Sequence, residues 1–148
     1  MRVHFICRGN AYRSLIAESY FKSRSNIPVL SSGVVADDYR TGNVPVIAIT
    51  RKFLKAKGLA LPSELAPVQL TAERLQPGDT LVCVNKEALD ELKAKFKLES
   101  EPIVWDIIDY DEPGGGQETG ISQYEYTRVI YKQIVKNVDQ LIKELAAR

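Results

Sequence analysis

A cysteine followed six positions later by an arginine and then a serine stands near the start of this chain, in Cys7-Arg8-Gly9-Asn10-Ala11-Tyr12-Arg13-Ser14. Those residue types can hold a phosphoryl group and attack it. Backbone N–H groups of a short loop and of a helix N-terminus point partial positive charge into one small bowl, which suits a phosphate dianion. The guanidinium of Arg13 adds a planar, two-pronged cation to the rim. The same field would stabilise Cys7 as a thiolate, the nucleophilic form of cysteine.

Flanking elements must hold such a loop in place. The apolar run before Cys7 makes residues 2–7 a buried strand, and Leu15, Ile16, Tyr20 and Phe21 fall near helical spacing within a helix over residues 13–24. Gly9 and Asn10 are types that take positive φ inside a tight loop. Further on, residues 28–31 read as a short strand closed by Gly33, and residues 34–44 as polar turn. Pro45 opens a helix that Ile47, Phe53, Leu54 and Ala56 support and Gly58 ends. Residues 59–71 form a loop with at most a short strand, and Thr71 caps a short helix. Strands at 80–84 and 102–105 bracket a helix at 86–95. Pro113-Gly114-Gly115-Gly116 marks a flexible loop. A long amphipathic helix over residues 121–146 carries the stripe Val129, Ile130, Ile134, Val138, Leu141, Ile142 and Leu145.

This alternation predicts an α/β fold. It is a single three-layer domain over residues 1–148, with a central four-stranded parallel twisted sheet and helices on both faces. Ligands of such sheets bind beyond the carboxyl ends of the strands. Cys7 stands at that end of the first strand and Asp109 just past that end of the fourth, so one mouth joins segments a hundred residues apart.

Residues 7–18 match at every fixed position the pattern Cys-x-Gly-Asn-x-x-Arg-Ser-x-x-Ala-Glu, and the chain thereby resembles the low-molecular-weight protein tyrosine phosphatases. Ser31-Ser32-Gly33 resembles that family's Ser-Ala-Gly segment, and the stretch from Asp38 to Pro45 an aromatic wall of its cleft. Leu81-Val82-Cys83-Val84-Asn85 resembles its third strand, and Trp105-Asp106-Ile107-Ile108-Asp109 the approach to a late catalytic aspartate. The resemblance implies a phosphomonoester hydrolase, most readily a protein-tyrosine phosphatase, that works through a phosphocysteine without a metal or other cofactor. Arg8, Gly9, Asn10, Ala11, Tyr12 and Ser14 would then bind phosphate beside the catalytic Cys7 and Arg13. Ser14 would donate to the sulfur, and Asn10 would brace the loop through Ser31 or Ser32. Tyr39 and Tyr110 would wall the aryl ring. A phosphotyrosine protein or a small phosphomonoester would be the substrate, and inorganic phosphate or a similar oxyanion would occupy the empty loop.

The leaving group needs a proton, and the family places Asp-Pro here. This chain offers Asp106, Asp109, Asp111 and Glu112 instead. Asp109 ranks first as general acid because the residues before it match, and Asp111 second because it sits nearer Pro113 and the glycines. Arg8 either adds positive charge that favours acidic or doubly phosphorylated substrates or is a solvated rim residue. Tyr12 stands where many members carry a second cysteine, so Cys7 would lack a thiol to trap it after oxidation.

A formal net charge of +1 recommends neither nucleic acid nor an anionic membrane as partner. Two cysteines without a visible secretion signal point to a reducing, cytoplasmic setting. One histidine and two distant cysteines make no metal set. Cys83 and His4 read as core residues. Two other functions stay open: an arsenate reductase-like oxyanion enzyme, and a non-catalytic phosphate- or phosphopeptide-binding module.

Overall fold

A computed structural model describes residues 1–40, 45–61 and 67–148, with the side chains of Tyr39, Arg40 and Pro45 outside the description. Four strands form one sheet: β1 (Val3–Cys7), β2 (Val29–Gly33), β3 (Thr80–Cys83) and β4 (Ile103–Val104). All pairings are parallel, in the order β2-β1-β3-β4. The central strand β1 is buried along its whole length, as a strand covered on both faces must be. Its register sets Phe5 beside Ser31 and Val82, and Ile6 beside Ser32 and Cys83.

Alternation along β1 divides the core in two. Val3 and Phe5 face the larger cluster, which joins Ile16, Ala17 and Phe21 to Tyr126, Ile130, Ile134 and Val138. These belong to α1 (Arg13–Arg24) and α5 (Gln123–Ala146). Ile6 and Cys83 face the other cluster with Leu81 and with Ala88 and Leu92 of α4 (Lys86–Lys95). The larger cluster explains the long helix: its buried residues recur at three- and four-residue steps from Tyr126 to Leu145.

Several boundaries differ from expectation for identifiable reasons. Helix α5 starts at Gln123 rather than 121 because the Ser122 side chain accepts from the Glu125 N–H and caps it. Val129, expected in the apolar stripe, is 43% exposed. The polar stretch after β2 holds a short helix α2 (Ala36–Arg40) rather than turn alone, and α3 (Pro45–Ala56) follows. Thr71 makes no side-chain cap to the 3₁₀ turn Ala72–Arg74. Strand β4 keeps two residues of the four expected, yet the chain stays on the sheet: Trp105 N–H donates to the Cys83 carbonyl at 2.8 Å and Ile107 N–H to that of Val84 at 3.0 Å. These two bonds carry the segment from β4 along the carboxyl edge toward Asp109.

Candidate active site

The loop after β1 closes a bowl at the start of α1. Helix α1 has Tyr12 as N-cap with no side-chain cap hydrogen bond, and no acidic residue in its first turn. Its N-terminus is thus left to an outside anion. Asn10 bends the loop at φ 53°, the one positive φ of a non-glycine among the described residues. The bend is held by every polar atom of the Asn10 side chain. Its amide donates to Ser14 Oγ at 2.8 Å and Ser31 Oγ at 2.9 Å, and its carbonyl accepts from Val68 N–H at 2.9 Å. Because that N–H can only donate, the amide has a single consistent orientation. Gly33 lies beneath: a Cβ there would stand 2.6 Å from the Arg8 carbonyl oxygen and 2.9 Å from the Asn10 nitrogen.

Two groups converge on the Cys7 sulfur, the Asn10 N–H at 3.1 Å and the Ser14 hydroxyl at 2.9 Å. Against an ionised sulfur, which has no proton to give, the Ser14 hydroxyl is the donor, while its oxygen accepts from Asn10. Behind it, Ser31 donates to Glu18 Oε1 at 2.6 Å. Of the two serines expected to brace Asn10, Ser31 does so. Ser32 points the other way, to His4 Nε2 at 2.8 Å and Arg74 Nε at 2.8 Å, because neighbouring residues of a strand face opposite sides. His4 is fully buried, and burial pushes it down to about 3, so it stays neutral.

Arg13 is buried, 3% exposed, with its guanidinium against the segment that follows β4. Nη1 donates to the Ile107 carbonyl at 2.7 Å, while Nη2 lies 3.3 Å from Asp109 Oδ2 and 3.6 Å from Glu112 Oε1. Cys7, Gly9, Ala11, Tyr12, Arg13, Asp109 and Tyr110 thereby line one cleft of about 420 Å³. Asp109 Oδ1 accepts from the Tyr110 N–H at 2.7 Å. Asp111 and Glu112 line the same cleft, whereas Asp106 is exposed and off it. The glycines expected to be flexible pack tightly. A Cβ on Gly115 would collide with the carbonyl oxygens of Asp109 and Tyr110, and one on Gly116 with the Tyr126 ring 2.7 Å away. They fix the acidic loop.

Other expected residues fall out differently. The Arg8 side chain lies on α4, with Nε 2.6 Å from Glu91 Oε1 and 3.4 Å from Glu87 Oε1. It is part-exposed and lines the cleft, with two carboxylates beside its charge. Tyr110 lines the cleft, its hydroxyl donating to the Ile121 carbonyl at 2.7 Å. Tyr39's side chain lies outside the described residues. Tyr12 is buried, hydrogen-bonded to Thr127 Oγ1 at 2.6 Å, and burial drives its phenol well above the usual range. Sequence reading gave no role to Glu18, although it closes the matched motif, nor to Thr50, whose hydroxyl donates to the Ala11 carbonyl at 2.8 Å. Val68 and Ile107 contribute backbone groups, which leave no local signature.

Both cysteines are free. Cys83 is fully buried in the cluster opposite the α1 face, and burial raises its thiol to about 12. It cannot serve as a resolving thiol. Oxidation of Cys7 by peroxide is therefore expected to leave at most a minor fraction of activity recoverable with dithiothreitol. Full recovery would show that some other group protects the sulfur. Among the described residues, no cluster of three or more His, Cys, Asp or Glu is arranged to hold a metal ion, and no helix is long and apolar enough to cross a membrane.

A cysteine at a strand-to-helix loop, with an arginine and a carboxylate on the same cleft, is the arrangement of a cysteine-dependent phosphatase. The sequence matches the family described as Low molecular weight phosphotyrosine protein phosphatase over residues 2–148, and the chain belongs to that family. No curated protein matches. The fold is that of solved family structures. The low molecular weight protein tyrosine phosphatase of T. tengcongensis is 21% identical with a TM-score of 0.75, over 97% of this chain and 99% of that one. Vibrio vulnificus Wzb, in complex with benzylphosphonate, is 18% identical with a TM-score of 0.76, over 97% of each chain. A drosophila arginine phosphatase is 20% identical with a TM-score of 0.70, over 98% of each. Membership in this family does not favour the reductase or the binding module.

Proposed function

We propose that the chain hydrolyses aryl phosphomonoesters, phosphotyrosine in proteins foremost, through a phosphocysteine at Cys7. One observation carries this reading: the sulfur receives two hydrogen bonds at the floor of a cleft whose rim holds both Arg13 and Asp109. The three free phosphoryl oxygens take the loop amides and the guanidinium. Sulfur attacks phosphorus in line, the S–P bond forms and the P–O ester bond breaks. Asp109 gives its proton to the departing phenolate. As a carboxylate it then takes a proton from the water that attacks phosphorus. The S–P bond breaks, phosphate leaves, and Ser14 supports the sulfur as it departs. A phenyl ring on the phosphate fits between the loop and Tyr110, a shape akin to the benzylphosphonate of the Wzb complex. The nucleophile needs a reducing, cytoplasm-like setting to survive.

Acid quench during turnover of para-nitrophenyl phosphate tests this. A phosphoryl adduct on the Cys7 peptide is expected by mass spectrometry. Phosphate binding without turnover or adduct would instead identify a binding module. Leaving-group dependence tests the acid. Asp109→Asn is expected to lower kcat on phenyl phosphate by on the order of 10²-fold, and much less on para-nitrophenyl phosphate, whose leaving group needs little protonation. Equal losses on both substrates would remove Asp109 from the role.

A further inference from the structure

Glu112 occupies a position that a solvated loop carboxylate has no reason to take. Its Oε1 lies 3.6 Å from Arg13 Nη2, the atom that Asp109 Oδ2 approaches at 3.3 Å. The two carboxylates are therefore less than about 7 Å apart, across one buried guanidinium. Asn85, the N-cap of α4, reaches the same Oε1 at 3.5 Å, and the Glu112 N–H approaches the Asp109 carbonyl at 3.3 Å. Gly115 closes the turn: a Cβ there would stand 2.9 Å from the Glu112 carbonyl oxygen. The loop thus delivers a second acid to the mouth of the cleft.

We propose that Glu112 is a second working carboxyl of this site, whose negative charge beside Asp109 keeps the leaving-group proton on Asp109 while substrate is bound. The inference rests on Asp109 being the general acid. In the empty site the single positive charge of Arg13 is shared between the two carboxyls. A bound phosphate dianion draws on that same guanidinium, so the two acids lose part of their shared counter-charge and face each other. One of the pair then holds a proton, as close carboxyls do when both cannot ionise together. The proton that Asp109 loses to the leaving oxygen returns to it from the attacking water, so Glu112 exchanges none in the net reaction. It acts by field alone and is a positioning residue for a proton. Burial raises Glu112, Arg13 opposes that, and Asp109 and Glu87 add to the rise, a pull toward the proton that the charge of Glu112 must overcome for Asp109 to keep it.

The basic limb of the kcat–pH profile on phenyl phosphate, which reports the substrate-bound enzyme, is the test. Two unit charges at this separation, near a protein surface, displace each other's titration by about one pH unit or more. Glu112→Gln is expected to move the basic limb down by about one pH unit, which is roughly a tenfold loss of rate above the limb. Glu112→Asp, which keeps the charge, should restore most of that shift. Glu112→Ala is made alongside, so that a folding failure in one neutral variant leaves the other to decide. Asp106→Asn, which removes a charge off the cleft, controls for bulk electrostatics. A limb unmoved in the neutral variants, or moved equally by Asp106→Asn, overturns the proposal. If Asp109→Asn shows its leaving-group effect while Glu112→Gln leaves the limb in place, only the role of Glu112 falls. If Asp109→Asn shows no such effect, the assignment of the acid itself falls.

Discussion

Cys7→Ser is expected to abolish turnover of para-nitrophenyl phosphate, by about 10⁴-fold or more, while inorganic phosphate still binds. The separation of the two effects follows from the loop's construction. On the proposed reading phosphate is held by backbone amides and Arg13, none of which the substitution removes. Nucleophilic attack is lost because a hydroxyl at this position has no base to take its proton. Ser14 donates toward position 7, and the Asn10 amide donates as well, so both neighbours favour negative charge there but accept no proton. Serine is also shorter-bonded than cysteine, which draws the attacking atom back from phosphorus. Steady-state kinetics gives the first effect, and phosphate titration followed by thermal melting gives the second. Retained turnover in the variant would mean that the chemistry lies elsewhere.

Arg13→Lys is expected to lower kcat/KM by roughly 10²- to 10³-fold on the same substrate, the cost of removing one preorganised charged donor from a phosphoryl-transfer site. The change keeps the charge and removes the geometry. Arg13 spends Nη1 on the Ile107 carbonyl at 2.7 Å, which pins the plane of the guanidinium where the segment after β4 crosses the mouth. Lysine has one nitrogen for both duties. A lysine that reaches Ile107 or Asp109 is lost to phosphate, and one that reaches phosphate leaves a buried carbonyl without its donor. A loss concentrated in kcat rather than KM would place the guanidinium on the transition state. A lysine variant near the original rate would mean that charge alone suffices.

Both predictions depend on a motif that can be read directly from the chain. Residues 7–14 carry their chemistry in residue types at short spacing, and a strand-to-helix turn is a local structure. The helices at 13–24 and 86–95 are equally local, since period and capping set them: Asn85 caps α4 through Ala88 N–H at 2.9 Å. The ranking of Asp109 rested on the likeness of Trp105-Asp106-Ile107-Ile108 to the family's approach to that residue, and the order of strands added only that it stands at the same mouth as Cys7. The two-residue β4 was less legible, because its neighbours keep their sheet hydrogen bonds without strand geometry.

Arg8 shows where local reading stops. Its charge is evident in the sequence, but Glu87 and Glu91, eighty residues on, stand beside it only because the sheet order sets α4 beside the loop. Ser31 rather than Ser32 meets Asn10 because strand parity and the β1–β2 register decide which hydroxyl faces α1. Glu112 reaches Arg13 because glycines at 115 and 116 let the acidic loop fold back on itself. Residue types and short spacings determined the candidate nucleophile, the candidate phosphate loop and the class of chemistry, since those depend on neighbours along the chain. Tertiary structure alone decided which distant charges meet the arginine, since electrostatic pairing depends on separation in space.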